Sequence, residues 1–240
     1  KADSYYAKDP AVVKAGDYYY MVYTGSTTVV ETTDNELFVA RSATPDGKNW
    51  EKWNGSSWGG DPAPAVDAEL SATETFFGAG EPSLVVKGDQ IYLYYTYSDN
   101  EQGIYNVRLM TAAASDPNWP ASMTDQGEVI DRTAFKGLNV DGCSVRYIED
   151  QDCFQAVHGV NIADVNSYSV VWVSKDGVSG WEQKGLLSNN IRVRAKYARF
   201  ICNEQSHITS TTPRVMIYQN GGQYSKTAWP TRMVPYSFVE

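Results

Sequence analysis

The chain has 240 residues, enough for one domain over 1–240 that buries roughly 70–75% of the surface its unfolded form would expose. Its 29 Asp and Glu outnumber its 20 Lys and Arg, for a net charge of −9, which excludes the cationic surface that phosphate binding needs, so nucleic acid is not an expected partner. No run of about 18 apolar residues is present, and membrane insertion is not expected.

Seventeen Tyr and seven Trp point to β-structure. The first predicted element opens at Asp9-Pro10, turns at Gly16-Asp17 and returns through YYYMVYT. A glycine-led pair between two β-prone runs predicts a hairpin. ELFVARSATPDGKNWEKW then predicts a strand, an Asp-Gly turn and a further strand opened by Trp50. Residues 54–78 lack periodicity and predict a long inserted loop, of a kind that commonly walls a binding site.

The opening motif returns at Glu81: EPSLVVKGDQIYLYYTYS aligns with DPAVVKAGDYYYMVYTGS without a gap, placing Pro82 on Pro10 and Gly88-Asp89 on Gly16-Asp17. VRLMTAAASDPNWPASM repeats the second strand pair, with Trp119. A third, looser copy runs through DGCSVRYIEDQDCFQAVHG, where Asp141 leads a strand and His158 ends its return, followed by YSVVWVSKDGVSGWEQKG with Trp181. The last quarter, RAKYARFICNE, PRVMIYQN and TRMVPYSFVE, predicts three more strands. Four-stranded units of about 50–70 residues predict an all-β propeller. Three blades are visible directly, the last quarter supplies a fourth, and a fifth could be assembled from 186–200 with a terminal strand. Inner strands of stacked blades are covered on both faces, so the tyrosine runs are read as core.

Propeller symmetry gathers equivalent positions at the mouth of the central channel. With Asp9, Glu81 and Asp141 at the heads of their repeats, three carboxylates are expected at one axial pocket, each with the alternative role of a solvated turn residue. Mutual repulsion would yield an acid and a base side by side, which glycoside hydrolysis requires. GAGEPS lacks the third glycine and following helix of a dinucleotide fingerprint. His158 is read as a packed histidine or a substrate contact. His207, beside Glu204, is read as an axial ion or water ligand. Trp58, Phe76 and Phe77 either stack on sugar faces or clamp the loop. No G-x-S-x-G is present. Cys143, Cys153 and Cys202 have no metal spacing and allow at most one disulfide with one free thiol.

The DP-x-V-V-x-x-G-x-x-Y-Y-x-x-Y-T opening, the A-R-S…D-G-x-x-W element and G-E-P-S-L-V-V resemble the five-bladed propeller glycosidases of the arabinanase, β-xylosidase and levanase/invertase type, above all the family 43-like group. The resemblance covers residues 5–200 and is strongest over 7–53 and 78–100. It implies Asp9 as general base, Asp141 as the residue that tunes and orients, and a glutamate as acid: Glu204 by order along the chain, Glu81 by its Glu-Pro context. It further implies that no cofactor is required, with an axial calcium held through His207 as an option, and a carbohydrate partner. A secreted, periplasmic or cell-surface location follows from the same resemblance, with a carbohydrate-binding propeller lacking a working acid/base pair as the alternative.

Overall fold

A computed structural model describes residues 3–26, 29, 34–68, 77–98, 105–130, 140–160, 168–186, 195–220 and 231–237. The first repeat pairs β1 (Tyr6–Ala15), β2 (Tyr18–Ser26), β3 (Asn35–Ser42) and β4 (Glu51–Lys52) antiparallel in chain order. The second repeats this with β5 (Gly78–Lys87), β6 (Gln90–Ser98), β7 (Asn106–Ala113) and β8 (Thr124–Ile130). The third uses β9 (Val140–Ile148), β10 (Cys153–Val160), β11 (Tyr168–Ser174) and β12 (Glu182–Leu186). In the fourth, β13 (Ala195–Phe200) is followed by β14 (His207–Ile208), which leaves to pair parallel with β9. The chain then returns as β15 (Val215–Asn220) and β16 (Thr231–Pro235).

The hairpin turns follow their local chemistry. Gly16 and Gly88 take φ of +56° and +59° at the first of two loop residues, a conformation glycine adopts without steric cost. The third hairpin closes with four residues instead, Glu149 to Asp152, in a single 3-10 turn. In the fourth, residues 201–214 replace the turn altogether.

The inner strands pack in order, β1 on β5, β5 on β9 and β9 on β13. Val13, Tyr20, Val22 and Val39 of the first repeat meet Leu84, Ile91, Leu93 and Tyr95 of the second. Val85, Tyr92 and Tyr94 meet Val145, Tyr147 and Phe154 of the third, and Ile148 and Val157 meet Phe200, Met216 and Tyr218 of the fourth. Strands β5 and β6 are buried on both faces nearly throughout, as the tyrosine runs predicted. Buried hydroxyls find acceptors: Tyr94 donates to Gly177 O at 2.7 Å and Tyr23 to Asp3 Oδ2 at 2.8 Å. Val12 departs from its counterparts in the other inner strands. It is 47% exposed while Leu84 and Val145, at the same register position, are buried, so its face of β1 is uncovered by the described residues.

Part of the inserted loop packs as an extra edge, with Leu37 N–H donating to Val66 O at 3.0 Å; Phe76 lies outside the described residues. All three cysteines are free thiols.

Candidate functional site

Each inner strand breaks register once, at the same place. Between Lys8↔Thr24 and Ala11↔Val22, Asp9 and Pro10 together face Tyr23. Between Gly80↔Thr96 and Ser83↔Tyr94, Glu81 and Pro82 face Tyr95. The third repeat bulges at Gly142 and Cys143 opposite His158, and the fourth at Tyr197 and Ala198 opposite Tyr218. A bulge bends its strand and re-aims side chains. The first bulge residue is left-handed in three repeats: Asp9 at φ +52°, Glu81 at +53° and Gly142 at +65°.

This register corrects one equivalence and explains another residue. Gly142, not Asp141, matches Asp9 and Glu81; Asp141 pairs with Gly159 and so matches Lys8 and Gly80. Among the described residues two carboxylates therefore occupy the bulge ring rather than three. His158 occupies the position held by Tyr23, Tyr95 and Tyr218. It is buried, it stacks on Trp172 with centroids 6.1 Å apart, and burial lowers its pKa to about 3. It packs as a core residue.

Asp9 stands exposed at the mouth, whereas Glu81 is buried to 7%. Glu81 N–H donates to Thr24 Oγ1 of the first repeat at 2.8 Å, and Glu81 Oε2 accepts Gly142 N–H of the third at 2.7 Å. Arg199, two residues past the fourth bulge position, donates through Nη1 to Gly142 O at 3.0 Å. Glu81 and Arg199 thus hold opposite sides of Gly142. Burial, then the nearby Arg146 cation, draws the Arg199 guanidinium below its ordinary pKa, against the opposing pull of Glu81 and Asp9. Arg146 donates to Ser83 Oγ at 3.3 Å. Cys143, also beside this cluster, is pushed up to about 12 by burial and stays a thiol.

The far end of the channel is closed. Lys14, Val86 and Tyr147, at one register position of three repeats, donate their backbone N–H groups to Glu204 O (2.7 Å), Gln205 O (3.1 Å) and Ser206 O (3.2 Å). Three successive carbonyls of one loop thereby tie three inner strands together on the axis. Glu204 is therefore five β1 residues from Asp9, roughly 15 Å along a strand, and its carboxylate binds the Tyr19 hydroxyl at 2.9 Å and Lys14 Nζ at 3.5 Å. It shares no pocket with Asp9. His207 lies at the same closed end. Its Nδ1 faces Glu149 Oε1 at 2.9 Å and its Nε2 faces Val86 O at 2.5 Å, which leaves neither nitrogen for a metal ion. Among the described residues no group of three or more His, Cys, Asp or Glu is spaced to hold one.

The two aromatic candidates separate likewise. Phe77 packs its ring across Gly80, where an added Cβ would meet it at 2.9 Å, and edge-on to Tyr105 at 5.2 Å; this places it next to Glu81 at the open end. Trp58 donates from Nε1 to Pro117 O and Asn118 Oδ1, both at 3.0 Å, and stacks on Arg41 4.4 Å away. Pro117 follows β7 at the closed end, where Ala113 pairs with Gln90, so Trp58 clamps its loop to the second repeat.

No family model and no curated protein matches the sequence. Solved structures do match in fold. A family 117 glycoside hydrolase from the marine bacterium Zobellia galactanivorans superposes with a TM-score of 0.64 at 12% identity, over 97% of this chain and 68% of that one. An endo-arabinase from Bacteroides thetaiotaomicron gives 0.60 at 13% identity, over 100% and 79%. The GH43B protein of the Bacteroides ovatus xyloglucan PUL gives 0.59 at 12%, over 97% but only 40% of its own length. The chain shares the β-propeller fold of these glycoside hydrolases.

Proposed function

We propose that the protein is a glycoside hydrolase with Asp9 and Glu81 as its catalytic carboxylates, acting on arabinose-, xylose- or fructose-type glycosides of plant or microbial polysaccharide outside the cytoplasm. The observation that carries this reading is the pair of carboxylates at twin left-handed bulges in adjacent repeats, at the open end of the channel. Strained backbone held at one place in two repeats is characteristic of functional sites. The propeller likeness to an endo-arabinase and a family 117 glycoside hydrolase supports the same class.

In this reading Asp9, exposed to water, takes a proton from the water that attacks the anomeric carbon, and Glu81 gives one to the departing glycosidic oxygen. Because Glu81 Oε2 already accepts Gly142 N–H, the donated proton belongs on Oε1. Asp141, one residue before Gly142, is assigned to orienting the sugar, and Phe77 to stacking on its face.

A second reading, a carbohydrate-binding propeller without turnover, is favoured by one observation: Glu81 is nearly buried and anchored. Incubation with arabinan, xylan, fructan and galactan, read by mass spectrometry and by binding, decides between them. Sugar release that is lost in Glu81→Gln supports hydrolysis. Binding without release on every glycan supports the second reading.

A further inference from the structure

Threonine recurs at one register position of the first two repeats. Thr24 pairs with Lys8 and Thr96 with Gly80, in each case at the residue that precedes the bulge of the inner strand. Strand alternation turns both toward the following repeat. Thr24 lies two residues past Val22, which packs on the second repeat, and Thr96 lies two past Tyr94, which packs on the third. Both threonines are fully buried.

Their hydroxyls differ. Thr24 Oγ1 accepts the N–H of Glu81, the bulge residue of the next repeat, at 2.8 Å. The equivalent donor for Thr96 is the N–H of Gly142, the bulge residue of the third repeat, but that N–H goes to Glu81 Oε2 at 2.7 Å. Thr96 Oγ1 is left buried with no hydrogen-bond partner among the described residues. Buried hydroxyls are nearly always paired, and the Glu81 carboxylate holds the bond that the repeat pattern assigns to this one. A proton donor must come within hydrogen-bond reach of the leaving oxygen, whereas Glu81 is 7% exposed and anchored on Gly142. Turning Glu81 outward takes the acceptor from Gly142, and an unpaired buried N–H opposes the turn. A second acceptor in place removes that obstacle.

We propose that Thr96 is a positioning residue for Glu81: its hydroxyl takes over the Gly142 N–H when the Glu81 side chain turns into the pocket. Glu81 then moves between a stored position, the one described here, and an engaged position, and no buried donor is orphaned in either. This deepens the hydrolase reading, on which it rests for the role of Glu81, and it gives a nearly buried acid a route to its substrate.

The exchange of acceptors is read at the Gly142 amide, without turnover, by hydrogen exchange followed by NMR on the intact protein. In Glu81→Ala the Gly142 N–H should pass to Thr96 and stay protected. Adding Thr96→Val, which keeps the shape of threonine and removes the hydroxyl, should make that amide exchange about tenfold faster or more. Equal exchange with and without the Thr96 hydroxyl overturns the proposal. Thr96→Val alone should leave Tm unchanged or higher, because the hydroxyl is idle in the stored position. A lower Tm shows that the hydroxyl is already bonded in the fold and overturns the proposal too; this arm stands even where the Glu81 variants fail to fold. On a glycan that is cleaved, Thr96→Val should lower kcat about tenfold with KM within about twofold, and Thr96→Ser should restore kcat. If Thr96→Val turns over like the wild type, only this inference fails. If the Gly142 amide behaves as expected and no glycan is cleaved, the acceptor exchange stands and the hydrolase reading falls.

Discussion

Asp9 and Glu81 hold a left-handed backbone that costs a residue with a Cβ on the order of 1–3 kcal/mol, whereas Gly142 holds the same position freely. If function retains the strained carboxylate, relieving the strain should separate stability from activity. Asp9→Gly is expected to raise stability by about 1 kcal/mol in urea denaturation while abolishing turnover; lower stability would show that the Asp9 side chain is itself structural. A second carboxylate is stressed in a different way. Glu36, 7% exposed at the start of β3, has an Oε2 with no partner among the described residues, and burial, then Asp67 and Asp34, pushes its pKa up to about 7 from the ordinary 4.5. The folded protein therefore keeps a proton that the unfolded chain has released between pH 4.5 and 7. The stability this contributes is full below pH 4.5 and is lost as pH rises through 7. At about 1.4 kcal/mol per pH unit of displacement, Glu36→Gln should stabilise by about 2–3 kcal/mol more at pH 8 than at pH 4.5. An equal effect at both pH values would place the carboxyl in water.

At the scale of elements, the recurring device is the inner-strand bulge, and its legibility varied with the turn beside it. The first two repeats share a two-residue glycine-led hairpin, so aligning their sequences aligned their bulges, and Asp9 and Glu81 were found together. The third repeat closes with four residues, and matching by residue type set Asp141 on Asp9. Counting six residues back from the strand end, as from Ala15 to Asp9 and from Lys87 to Glu81, arrives at Gly142 from Ile148. The same count across the bulge would have put His158 among the tyrosines. Gly142 links the repeats: its N–H binds Glu81 and its carbonyl binds Arg199. Gly142→Ala should cost about 1 kcal/mol or more for a Cβ at φ +65°, and it should weaken sugar binding by displacing both partners. Normal stability and affinity in this variant would remove the bulge from the account of the site.

Over the whole molecule, the four repeats among the described residues build a channel with unlike ends. The tyrosine runs predicted two-sided packing on inner strands; they lie instead on the second strands β2 and β6, and the repeats interlock through the apolar faces of both strands. The closed end was not legible. Its hub depends on 204–206, an irregular loop whose three carbonyls bind Lys14, Val86 and Tyr147, and no local pattern marks a loop that bonds through its backbone. Glu204 and His207 therefore looked chemical in sequence and are structural in the fold. Arg199 was missed for the opposite reason: it sits in a strand of mixed polarity, and only the assembled ring brings it to Gly142. What remains at the open end are the bulge carboxylates Asp9 and Glu81 of adjacent repeats, and the proposed catalytic role of Asp9 is the centre of the account. The most direct measurement is kcat/KM of Asp9→Asn against the wild type on the best glycan substrate, with Tm measured in parallel. The account predicts a fall of about 10²–10⁴-fold at unchanged Tm. Turnover within twofold of the wild type would contradict it.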